Sequence, residues 1–140
     1  MMNWYLGVLQ KYAVFDGRAR RREYWMFVLI NALTAAVLRV LEVVLGLTPR
    51  TGPSVLTWLL RPSTLAGLYY LAVLVPTVAV TVRRLHDTGR SGRWLLIGLI
   101  PAIGEIALLV FLLQDSDPDT NPYGPSPKYG GLAGAGVFAR

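Results

Sequence analysis

Residues 83–94, RRLHDTGRSGRW, hold four arginines, the chain's only histidine and one aspartate. Arginine grips phosphate through two parallel N–H bonds, and turn amides around glycine add further donors. Arg83, Arg84 and Arg90 are therefore candidate ligands for an anion. His86 beside Asp87 has the residue types of an acid–base pair. Adjacent side chains seldom face each other, so Asp87 reads equally as a cap or as an arginine's partner. A second basic motif, FDGRARRREYW, covers residues 15–25. Its Arg18 and Arg21 extend the same chemistry, and Glu23 is a second acid set among arginines. Arginines that only orient a membrane protein need no acids among them. Glu23 and Asp87 are expected to pair with those arginines and fix their geometry, with His86 in support.

Other chemistries have less to stand on. With no cysteine and a single histidine, neither thiolate catalysis nor a metal site is expected. Asp115, Asp117 and Asp119 alternate like the start of a calcium loop. Thr120 stands where that loop needs glycine, and Ser126 where it needs its bidentate glutamate. No catalytic residue and no cofactor are assigned.

The elements that must carry these motifs are oily. The chain has 140 residues, 54% of them hydrophobic and 16% charged, with a mean hydropathy of +0.45. Soluble domains run near one quarter charged, at about 25%. Three apolar stretches cover residues 24–47, 65–82 and 94–113. Each approaches the ~20 residues with which a helix crosses a ~30 Å hydrocarbon core. Residues 3–15 read as a short amphipathic helix with Tyr12 and Phe15 among its aromatic members. A cleaved signal peptide is not expected, because the first apolar run comes late and is too long. Residues 114–140 contain nine Gly or Pro among 27 and show no apolar period, which reads as a disordered tail. The fold expected is an all-α membrane protein: three transmembrane helices, an N-terminal amphipathic interfacial helix and a disordered C-terminal tail.

Charge sets the orientation. The net charge is +6; residues 1–23 carry five basic against two acidic side chains, and residues 83–93 four against one. Both basic segments abut apolar runs, so the partner implied is a membrane surface rather than nucleic acid. The positive-inside bias puts both in the cytoplasm, with the N-terminus. Three spans then send the 48–64 loop and the tail outward. Pro101 and Gly104 interrupt the third run, and a re-entrant hairpin there would return the tail to the cytoplasm.

Some polar residues lie at membrane depth. Glu105 is about 16 Å deep, Arg39 about 21 Å and Glu42 about 25 Å by helical rise. Arg39 has two candidate partners, Glu42 and Glu105. Asn31, Ala35, Leu38 and Glu42 form one stripe, a plausible packing face beside Ala32 and Ala36. Pro76 and Pro101 both lie about 10 Å deep, where paired kinks would splay two helices.

FDGRARRREYW, RRLHDTGRSGRW, the IPAIG of residues 100–104 and the NPYG of residues 121–124 together resemble the YhaH-like bacterial inner-membrane family, a domain of unknown function. The likeness covers residues 1 to about 125 in order. The matching positions are Gly17, Arg18, Arg21, Glu23, Trp25, Arg83, Arg84, His86, Asp87, Gly89, Ser91, Gly92, Pro101, Gly104, Asn121, Tyr123 and Gly124. Arg93 stands where the family usually has the first of two tryptophans, and 115–120 where it has a glycine-containing turn. The resemblance implies a small multi-span inner-membrane protein without an established activity.

The functional reading is an anionic-headgroup or phosphate site at the cytoplasmic face, built from Arg18, Arg21, Arg83, Arg84 and Arg90. The alternatives are a small oligomeric carrier or channel using Glu105 and Arg39, and a membrane scaffold whose partner binds the tail. Expected partners are membrane lipids and a second copy or another membrane protein.

Overall fold

The computed structural model describes residues 2–47 and 64–129. Its helices are α1 (Met2–Gln10), α2 (Arg21–Val44), α3 (Thr64–Asp87), a 3-10 helix η1 (Gly92–Leu99) and α4 (Ile103–Leu113). No strand occurs among the described residues; the isolated bridge between Asn121 and Gly124 belongs to a turn. Arg50 and Arg61, in the expected outward loop, lie outside the described residues, as does the tail beyond residue 129.

Two helices, α2 and residues 65–87 of α3, are long and apolar enough to cross a membrane. At 24 residues each they measure about 36 Å. Both end in the same way. Gly46 (φ +70°) follows α2 and Gly89 (φ +71°) follows α3. There Leu47 N–H returns to Glu42 O at 2.9 Å, and Arg90 N–H to Leu85 O at 2.9 Å. Glycine takes this left-handed turn without the steric cost of a Cβ.

The expected stripe on α2 is the packing face: Asn31, Ala35 and Glu42 are buried, while Ala32 and Ala36 are exposed. Tyr69 donates from its hydroxyl to Asn31 Oδ1 at 2.6 Å, and Asn31 Nδ2 donates to Phe27 O at 2.7 Å. Glu42, fully buried, accepts from the Leu65 N–H and so satisfies one of the free amides in the first turn of α3. α1 docks on this pair. Val8 is fully buried with Ala19, Tyr24, Phe27 and Val80, and Tyr5 stacks on Phe27 at 5.5 Å. Pro76 sits inside α3, where it has no N–H to offer Ala72 O. The Tyr12 hydroxyl donates to that carbonyl instead.

The third apolar run departs from a single span. It is broken into η1 and α4, which fold back on each other as a hairpin. Pro101, Ala102 and Ile103 form its tip, a γ-turn in which Ala102 has φ +62° and ψ −65° and Ile103 N–H donates to Pro101 O at 2.8 Å. Gly104 makes the return possible, because a Cβ there would sit 1.7 Å from Ile97 O. Trp94 meets Phe111 edge to face at 5.4 Å. Pro101 is therefore the point of a hairpin and no partner to a Pro76 kink. The tail returns to the end where it meets Arg18 and Arg84, and residues 114–129 are folded against it rather than disordered.

Candidate functional site

At the arginine end, α2, α3, the hairpin and the tail meet around Asp87. This aspartate is fully buried at the last position of α3. Its Oδ1 accepts from Arg18 Nε at 3.0 Å. Its Oδ2 accepts from Arg84 Nη1 and from Ser116 Oγ, the latter at 2.5 Å. One carboxylate thus serves two guanidinium groups, leaving a buried net positive charge. Backbone carbonyls balance it. Arg18 Nη1 donates to the carbonyls of Asp119 and Gly124 at 2.8 and 3.2 Å, and Nη2 to those of Asp87 and Asp117 at 3.1 and 2.6 Å. With the Asp87 bond this makes five, the full donor capacity of a guanidinium. Arg84 Nε donates to Leu112 O at 3.2 Å and Nη2 to Gln114 O, covering carbonyls at the negative end of α4.

Arg18 and Arg84 are thereby committed within the protein. Arg83 is buried as well; its Nη1 pairs with Glu23 Oε1 at 3.2 Å, while Nε and Nη2 meet no protein acceptor. Arg90 reaches Gln114 Oε1 at 2.6 Å and lies 4.2 Å above the Phe111 ring. The acids do pair with arginines, though Glu23 meets Arg83 and Asp87 meets Arg18 and Arg84. His86 and Asp87 form no dyad. The Asp87 oxygens face the arginines, while His86 Nδ1 lies 3.3 Å from Gly17 O and its ring stacks on Tyr123 at 3.7 Å.

The tail is the part that sequence reasoning missed. Asn121 Oδ1 accepts from Tyr123 N–H at 3.0 Å, and Gly124 N–H closes the turn on Asn121 O at 2.9 Å. Asn121 Nδ2 then donates to His86 O at 2.8 Å. NPYG is thus a preformed turn that docks on the His86-Asp87 end of α3. Replacing Tyr123 with alanine removes the stacked ring, which is worth about 0.5–1.5 kcal/mol beyond its buried area. Amide exchange at Asp117 and Gly124 accelerates, whereas exchange at Asn31 stays as it was. Unchanged exchange at both tail amides would show that the stack does not hold the turn.

Beside this knot lies a half-open cavity of about 630 Å³. Arg20, Arg21, Arg22 and Trp25 line it from the start of α2; Asp115, Ser116 and Lys128 line it from the tail. Arg20 donates through Nε to Pro127 O. Arg21 and Arg22 are exposed and have no hydrogen-bond or ion-pair partner among the described residues. Lys128 pairs with Asp115. That hydrogen bond holds the Asp115 carboxyl below the usual carboxylate range and pushes the Lys128 ammonium up. Of the five arginines expected to face an anion, Arg21 alone lines this cavity.

Glu42 caps α3, and Arg39 lies one turn before it on α2. Glu105 is exposed in the first turn of α4 and pairs with no described residue. No group of three metal-ligating side chains occurs among the described residues.

Residues 12–125 match the family described as "Protein of unknown function (DUF805)". Inner membrane protein YhaI of Escherichia coli (strain K12) is 45% identical over 129 residues, 92% of this chain and 98% of its own length. Inner membrane protein YhaH of the same strain is 45% identical over 127 residues, 91% and 98% of the two chains. The uncharacterized protein YiiR is 36% identical over 86 residues, 61% of this chain and 49% of its own. No solved structure matches. With most of its length matched, and with the helices to suit, the chain belongs to the DUF805 family, whose members YhaI and YhaH are inner membrane proteins and whose function is unknown.

Proposed function

We propose that the protein holds the phosphate of an anionic lipid headgroup, or another phosphate-bearing ligand, in the cavity at the start of α2. The observation that carries this reading is a pair of guanidinium groups, Arg21 and Arg22, that make no hydrogen bond or ion pair with a described residue and line a cavity shared with Arg20, Trp25, Asp115, Ser116 and Lys128. Arg18, Arg83 and Arg84 act one step removed: they hold the tail and α2 so that the cavity has walls. Trp25 borders it, as an interfacial ring would border a headgroup. The positive-inside bias places this end, and the N-terminus, on the cytoplasmic side.

The test is native mass spectrometry of the protein released from membranes with its lipids. Wild-type protein retains phosphatidylglycerol or another anionic lipid. Each of Arg21→Ala and Arg22→Ala weakens that retention by about 1 kcal/mol, roughly fivefold. Asp115→Asn strengthens it, because Lys128 is released from its carboxylate. A double Arg21→Ala, Arg22→Ala protein that keeps the wild-type complement of anionic lipid would overturn the assignment.

A further inference from the structure

The hairpin carries a surface that the headgroup reading does not use. At ~2.0 Å per residue η1 is about 16 Å long, and at ~1.5 Å per residue α4 is about 16 Å long. The arms match, and each is about half of a ~30 Å hydrocarbon core. Both feet stand at the arginine end. Gly92 lies against Val82, where a Cβ would come within 2.8 Å, and Gln114 is held by Arg84 and Arg90. From there α4 runs back toward the apolar layer of α2 and α3. Leu112 O is bound by Arg84, while Leu108, one turn deeper, packs on the cluster of Phe27 and Val80.

The tip is apolar outside and closed inside. Leu99 and Ile103 are 79% and 76% exposed. Ile100 N–H donates to Ile97 O at 3.0 Å, Ile103 N–H to Pro101 O at 2.8 Å and Gly104 N–H to Ile100 O at 3.0 Å. Pro101 has no N–H at all. Irregular backbone is costly in hydrocarbon because its polar groups find no water. Here the tip's own carbonyls meet the N–H groups of Ile100, Ile103 and Gly104, while large aliphatic side chains point outward. Glu105 is the one ionisable side chain between Trp94 and Leu113. It lies in the first turn of α4, where the free amides favour negative charge.

We propose that residues 92–113 form a wedge that enters one leaflet, the one on the arginine side, and that the acyl chains of that leaflet are its partner. It adds volume to that leaflet and leaves the other undisturbed. The inference rests on membrane residence and uses neither Arg21 nor Lys128, so it stands or falls apart from the headgroup site.

The chain has no cysteine, so single-cysteine probes need no altered background. Arg93→Cys, Leu99→Cys, Ile103→Cys and Leu113→Cys place a nitroxide at the two feet and beside the tip of the full-length protein. All four native side chains are exposed, so the label displaces little packing. In phosphatidylethanolamine–phosphatidylglycerol vesicles, oxygen and nickel-chelate accessibility should put labels 99 and 103 near the bilayer centre. Both should lie about 15 Å deeper than labels 93 and 113. A membrane-impermeant maleimide should reach cysteines 93 and 113 from the same side, in right-side-out or in inverted vesicles but not in both. Labelling of the two feet from opposite sides would mean a full span and overturn the wedge. Tip labels at headgroup depth would mean a hairpin lying on the surface, and would overturn it as well.

Discussion

Asp87→Asn costs the protein about 3–5 kcal/mol of folding stability, the range seen when one member of a buried ion pair is removed. The substitution keeps the shape of the side chain and takes away its charge. Arg18 and Arg84 then share a buried site without a carboxylate between them, and Ser116 loses its charged acceptor. Arg18 can still reach the carbonyls of Asp117, Asp119 and Gly124, so the tail stays near but less firmly held. Denaturant unfolding in detergent micelles, followed by tryptophan fluorescence, measures the loss. Arg18→Met should cost a similar amount alone, and the double variant less than the sum of the two, because the residues share one network. Strict additivity, or an Asp87→Asn loss below about 1 kcal/mol, would show that these residues do not act as one network.

The network also explains which parts of the fold were legible in the sequence. Residues 24–47 and 65–82 announce themselves because runs so long and so rich in apolar residues, even with Asn31, Arg39 and Glu42 inside the first, suit a membrane helix. Yet α3 continues to Asp87, five residues past the end of the apolar stretch at Val82. Hydropathy marks where oil ends; the helix goes on because Arg84 and Asp87 are held by Arg18, α4 and the tail, and Arg83 is tied to α2 through Glu23. The pairing of Glu23 and Asp87 with arginines was readable from acids placed among cations. The choice of partner was not, since Arg83 and Arg84 are neighbours and only the helix rotation separates them.

The tail was hidden for a different reason. Arg18 binds three of its carbonyls, and a carbonyl acceptor can belong to any residue type. Composition rich in Gly and Pro therefore looked like absence of structure. The signal that could have corrected this was NPYG, whose Asn121 and Gly124 are turn formers in register. The third apolar run posed the same difficulty in oil: a span and a hairpin have the same hydropathy, and what separates them is backbone geometry at Pro101 and Gly104.

Gly104→Ala should open the hairpin. The added Cβ would stand 1.7 Å from Ile97 O, 2.8 Å from Ile97 C and 3.0 Å from Ile100 Cβ. The first two are backbone atoms of the facing arm, so no rotamer change relieves the clash and the arms must part. Separation costs the Trp94–Phe111 edge contact and moves Phe111 from beneath Arg90. A loss at or beyond the upper end of the usual overpacking range, about 3 kcal/mol, is expected. Gly98→Ala is the matched control. Its Cβ meets Leu108 Cδ2 at 3.3 Å, the far end of a flexible side chain that can give way. Alanine also suits a helix better than glycine, so this change should cost less than about 1 kcal/mol. Unfolding measurements on the two variants separate the ideas directly, since both add one methyl group to the same apolar hairpin. If they destabilise equally, the close approach of residue 104 to Ile97 is not what shapes the run. If Gly104→Ala alone is severe, the IPAIG motif is read as backbone geometry: a proline and a glycine that turn a would-be span back on itself.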